Sequence, residues 1–108
     1  GSNDARLRKK LEEHKKYIHD YPNFAAGYIN ISSVYVDLGD FNSALMALDS
    51  AASLAKTEDE KYLIAYNRAI VYYNRQDYEK ALTFANQAKN IKPGENIEEL
   101  ISDIYKLK

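Results

Sequence analysis

Two histidines, a few adjacent carboxylates and a pair of serines are the residues of this chain whose types offer chemistry, and their spacing withholds it. His14 and His19 stand five positions apart, whereas two ligands on one helix share a metal at spacings of three or four. Glu12 with Glu13, and Asp59 with Glu60, sit among other charged residues, with no apolar surroundings to raise a carboxyl pKa for acid catalysis. They read as solvated positions and helix caps. Ser32 and Ser33 lack the glycines of a nucleophile elbow, and Pro93-Gly94 is a lone turn, not a phosphate loop. With no Cys in the sequence, thiolate metal sites and disulfides are excluded. The expectation is a non-enzyme that holds neither metal nor cofactor.

The chain as a whole sets further bounds. Its 108 residues, 45% hydrophobic, suit a single domain over 1–108 built on one core. Fifteen basic residues face sixteen acidic ones, a net charge of -1, which supplies no general field for nucleic acid or an anionic membrane. Locally the balance shifts: residues 4–20 carry six basic and four acidic side chains, residues 25–58 one and four. A helix docking on its neighbour accounts for that. The basic cluster Arg6, Arg8, Lys9 and Lys10 lacks the interleaved aromatics of a nucleic-acid reader. No apolar run reaches membrane-span length, so no membrane insertion is expected, and among compartments the cytoplasm is favoured. Residues 1–3, opening on Gly1-Ser2 without Met, read as a tag remnant and disordered start of a piece cut from a longer protein.

Helical periodicity organises the rest. Leu7, Leu11, His14 and Ile18 form one stripe of a helix over 4–20. Pro22 breaks it, and Asn23 is placed to cap the next. A second helix, from about Phe24, carries Tyr28, Ile31, Tyr35 and Leu38 until Gly39 ends it, with Asp40 capping a third over 41–56. There Leu45, Leu48, Ala52 and Ala55 share a face beside Ala44, Ala47 and Ala51. Thr57 with Glu60 makes a capping box for a fourth helix through Leu63, Tyr66, Ala69, Ile70 and Tyr73. The fifth, over 78–91, uses Ala81, Leu82, Ala85 and Ala88. Asn96 with Glu99 repeats the capping-box pattern before a one-sided last helix, 96–108, bearing Ile97, Leu100, Ile101, Ile104 and Leu107. No segment alternates like a strand.

Part of this pattern occurs twice. Tyr35, Gly39, Asp40, Phe41, Ala44, Leu45 and Ala51 recur as Tyr72, Gln76, Asp77, Tyr78, Ala81, Leu82 and Ala88. The stretches 25–58 and 62–95 resemble the tetratricopeptide repeat: an aromatic midway along a first helix, a Gly-Asp-aromatic turn, Ala and Leu opening a second helix, Ala near its end, and Pro93 closing the second copy. Two departures stand out. The copies lie 37 residues apart against the family's period of about 34, which calls for a longer connection near Thr57, Glu58 and Asp59. Gln76 also replaces the turn glycine.

The resemblance implies an all-α fold of about six helices, antiparallel helix-turn-helix hairpins stacked as a short right-handed solenoid, with 4–20 as an N-terminal helix and 96–108 as a C-terminal capping helix beside the repeats. It also implies a protein-interaction module whose first helices line a concave groove for a peptide or amphipathic helix of another protein. The partner-binding residues it points to are Ile29, Asn30, Ser33 and Asp37 in the first copy. In the second they are Leu63, Tyr66, Asn67, Ile70, Tyr73 and Asn74. Asn30 and Asn67 hold equivalent places, and an amide can both donate to and accept from a bound backbone. Ile29, Ser33 and Leu63 fill the slots where the heat-shock chaperone carboxylate clamp has Lys and Arg, so an acidic tail is not the expected ligand. Apolar and tyrosyl side chains offer contact area instead. The alternative is a self-association or scaffold segment, pairing as a homodimer through exposed apolar helix faces.

Overall fold

A computed structural model describes residues 2–108; Gly1, within the expected tag remnant at 1–3, lies outside the described residues. Six helices follow one another: α1 Ser2–Asp20, α2 Ala25–Asp37, α3 Phe41–Leu54, α4 Glu58–Asn74, α5 Tyr78–Ile91 and α6 Glu95–Leu107. No strand occurs among the described residues. The fold is all-α. Helix α1 starts two residues before the expected Asp4. Where composition suits one core, the chain forms two compact units, Gly1–Ala55 and Lys56–Lys108.

In the first unit α2 packs on α1 and α3. Leu11, Ile31, Val34 and Ala47 make one buried cluster of this unit, with Ile18, Tyr35 and Leu38 against it. Gly27 lets α1 close on α2: a Cβ there would lie 3.1 Å from Tyr17 Cδ1 and 3.2 Å from Ile18 Cγ1, tighter than ordinary van der Waals contact. Tyr28 pins the same corner by donating its hydroxyl to the Pro22 carbonyl at 3.0 Å. Asn23 does not cap α2. The N-cap is Phe24, extended at φ -110°, with no side-chain cap hydrogen bond. On α3, Ala44, Ala47, Leu48 and Ala51 are buried. Ala52, expected on that face, is exposed.

In the second unit α5 packs on both α4 and α6, around Ala65, Ala69, Ala81, Leu82, Ala85, Ala88, Ile97, Leu100 and Ile104. Small residues on α4 and α5 keep little side chain between the axes, and aromatic rings close the flanks. The expected capping box opens α4: Thr57 Oγ1 accepts from Glu60 N at 3.1 Å, and Glu60 Oε1 accepts from Thr57 N at 3.1 Å. The same carboxylate also accepts from Lys56 N at 2.9 Å. No such box opens α6. Its N-cap is Gly94, without a side-chain cap, because the helix starts at Glu95 and takes Asn96 into its first turn.

The hairpin turns are built alike. Asp40 N donates to the Tyr35 carbonyl at 2.8 Å and Gly39 N to Val36 at 2.9 Å. Asp77 N donates to Tyr72 at 2.9 Å and Gln76 N to Tyr73 at 3.0 Å. Each is a six-to-one plus five-to-two closure that satisfies the helix's last carbonyls. Gly39 has φ 78° and Gln76 φ 65°, so glutamine takes the left-handed place in the second copy. Each turn aspartate then caps the following helix, Asp40 accepting from Ser43 N at 3.1 Å and Asp77 from Lys80 N at 3.2 Å.

Candidate functional site

Within the second unit a cleft of about 320 Å³ opens between α4 and α6. From α4 come Tyr66, Ile70, Tyr73 and Asn74, spaced four, three and one along the helix, so that they share one face. From α6 come Asn96, Glu99, Leu100 and Asp103, on one face by the same spacing. The floor is apolar and aromatic, the rim polar and acidic. Tyr62 tilts against Tyr66 with centroids 5.9 Å apart, and Tyr73 meets Tyr78 edge-on at 6.2 Å. Both cleft tyrosines are thereby held by a second ring. Burial, then the neighbouring Tyr62 and Glu99, raise the Tyr66 hydroxyl pKa above its ordinary 10.0. Each of these causes disfavours a further negative charge in the cleft.

Four of the sequence-derived residues therefore share one site: Tyr66, Ile70, Tyr73 and Asn74. Asn74 is partly engaged already, its Nδ2 donating to the Ile70 carbonyl at 2.8 Å, which leaves its side-chain oxygen for another donor. Leu63 is exposed and Asn67 half-buried on α4, and neither lines the cleft. In the first unit Asn30, Ser33 and Asp37 are exposed on α2. Ile29 is buried at 6% exposure, contrary to its expected place on a binding face. Six of the thirteen residues of α2 are buried, so this helix is enclosed over more of its circumference than one stripe requires.

The α6 side of the cleft is not foreseen by the sequence, in which 96–108 reads as a capping helix and Asn96 as its N-cap. The spacing of Asn96, Glu99, Leu100 and Asp103 was the available indication. Among the described residues no group of three or more His, Asp or Glu side chains is arranged to hold a metal. No helix among them is long and apolar enough to cross a membrane.

Two helical hairpins with matching turns, caps and small-residue contacts define a helical-repeat protein. The tetratricopeptide repeat model matches residues 25–58 and 63–95, and the chain belongs to the tetratricopeptide repeat family. Repeats of this family are in general non-catalytic protein-interaction modules. No curated protein matches the chain.

Proposed function

We propose that the chain is a protein-interaction module that takes an amphipathic segment of a partner protein into the α4–α6 cleft of its second unit. The observation that carries this reading is the lining itself: Tyr66, Ile70, Tyr73 and Leu100 around about 320 Å³. Tyrosines with fixed rings bury large contact area at little rotamer cost. Glu99 and Asp103 at the rim favour a segment whose apolar anchor is flanked by Lys or Arg. Asn74 and Asn96 supply amides for its backbone.

The test is a titration of the isotope-labelled chain with an amphipathic Leu/Lys helical peptide and with the same peptide bearing Glu for Lys. Amide shifts around Tyr66, Tyr73 and Leu100, seen with the Lys peptide and weaker with the Glu peptide, are the expected result. Shifts that bypass α4 and α6 reject the cleft. Exposed Tyr105 and Leu107 on α6, at 60% and 52% exposure, favour the second reading, self-association. Sedimentation over a concentration series distinguishes it, because a persistent monomer removes it.

A further inference from the structure

The two repeats share a hairpin and differ in what fills one corner of it. In the second, the Phe84 ring lies flat on Tyr72, centroids 5.5 Å apart and planes within 5°. The Arg68 guanidinium stands 5.7 Å from the Phe84 centroid, and the Lys80 ammonium 5.4 Å from that of Tyr72. Two rings and two cations thus occupy this corner. The residues 37 positions earlier are Ile31, Tyr35, Ser43 and Ala47. The tyrosine is kept, and the ring that would cover it is reduced to a methyl.

Those four equivalents all line one cavity of about 320 Å³ within the first unit. Its size is about twice the ~150 Å³ that suffices to hold benzene in an apolar cavity. It is open to solvent, so a side chain can enter while its backbone stays outside. Met46 on α3 also lines it and is 70% exposed, a flexible thioether able to fold against an aromatic edge. Lys15 on α1 is the charged residue of the lining. Its ammonium lies 3.8 Å from Glu12, with both side chains largely exposed, an ion pair of the kind that holds weakly in water.

We propose that this cavity is an acceptor site for an aromatic side chain of a partner protein, the ring stacking on Tyr35 as Phe84 stacks on Tyr72, with a flanking carboxylate meeting Lys15. The chain's own second repeat supplies the template for the ring, and charge complementarity at Lys15 supplies the acidic neighbour. The site lies in the other unit from the α4–α6 cleft and has the opposite charge preference, so the two readings stand or fall separately.

The experiment titrates the labelled full chain with acetyl-Asp-Phe-Asp-amide, alongside versions with Leu at the centre or Lys at the flanks. Amide shifts around Ile31, Tyr35 and Ala47 are expected with the first peptide, and weaker ones with both controls. Ala47→Phe supplies the ring from within and should weaken binding by about tenfold or more while raising the thermal midpoint. Lys15→Glu, a surface change that costs the fold only its weak exposed pair with Glu12, should reverse the preference between the Asp-flanked and Lys-flanked peptides, and it decides the matter even if Ala47→Phe fails to fold. Equal response to the Leu peptide overturns the proposal, as does an unchanged flank preference in Lys15→Glu. Concentration-dependent shifts of the same amides without any peptide, insensitive to its addition, overturn it in favour of a second copy of the chain.

Discussion

Gly39 and Gln76 hold the same left-handed backbone at the same step of the two hairpins, φ 78° and 65°, inside the same pair of turn hydrogen bonds. For a residue with a Cβ this conformation costs about 1 kcal/mol, which the second unit sustains through its packing. Gln76→Gly should therefore stabilise the chain by about 1 kcal/mol, less whatever glycine gains in the unfolded state. Gly39→Ala is the mirror experiment. A Cβ at Gly39 would meet nothing within 4 Å, so its cost is conformational alone, about 1 kcal/mol. Urea denaturation of both variants measures the pair, and opposite signs are expected.

Glu60 makes the α4 capping box sensitive to pH. Hydrogen bonds from the backbone N–H of Lys56, then of Thr57, hold its carboxyl below the ordinary 4.5. A carboxyl whose folded pKa is depressed binds protons more readily in the unfolded chain. Its contribution is present above about 4.5 and fades as pH falls through the folded value. Stability measured by urea across acid pH should show this loss in the parent, and Glu60→Gln should flatten that part of the profile. An unchanged profile in Glu60→Gln would mean that the box contributes nothing to the acid limb.

Much of the hairpin architecture was legible because it rests on local, one-residue signals. Gly39 forces a turn, Asp40 and Asp77 each reach one helical start three residues on, and Thr57 with Glu60 closes a box within a single turn. Their chemistry is complete within four or five residues of chain. What the sequence misread depends on choices between neighbours. Asn23 has the side chain of a cap, yet it sits in a turn with Pro22, and extended Phe24 takes the N-cap position instead. Asn96 and Glu99 have capping-box spacing, but Gly94 takes the N-cap position without any side-chain cap, and Asn96, inside the first turn, lines the cleft. Ile29 shows the same limit for the site. Periodicity places it on a helix face, but only the surrounding packing decides that it is buried. The cleft itself needs Leu100 and Glu99 from α6, a helix whose sequence speaks only of amphipathicity.

The Tyr66 hydroxyl reports on that cleft. Its pKa is raised above 10.0 by burial first, with Tyr62 and Glu99 adding to it. Because the folded value is the higher one, the associated stability is present below about 10 and lost as pH rises through the folded pKa. Spectrophotometric titration should find an ionisation above 10.0 that Tyr66→Phe removes. Glu99→Gln should lower that pKa slightly while leaving burial, the larger cause, in place. If the Tyr66 hydroxyl ionises at its ordinary 10.0 or below, the cleft is more open to water than its geometry allows.

Helix α6 supplies half of the cleft, so what fastens it decides whether the site exists. Ile97 and Ile104 are fully buried and Leu100 nearly so, spaced to fall on one face toward α5. An ion pair, Lys89 Nζ to Glu98 Oε1 at 2.7 Å, joins the same two helices at the surface. The magnitudes separate these two fastenings. Truncating a buried isoleucine to alanine costs about 2–5 kcal/mol through lost burial and the cavity left behind. An exposed pair contributes about 0.2–1 kcal/mol, weakened further by salt. Ile104→Ala should therefore release α6, seen as faster amide hydrogen exchange along 95–107 and loss of any response at Tyr66 and Tyr73 to a cleft-binding peptide. Lys89→Ala should leave exchange nearly unchanged at moderate salt. The reverse order, with Lys89→Ala the more damaging, would make charge and not apolar packing the force that holds α6 in place.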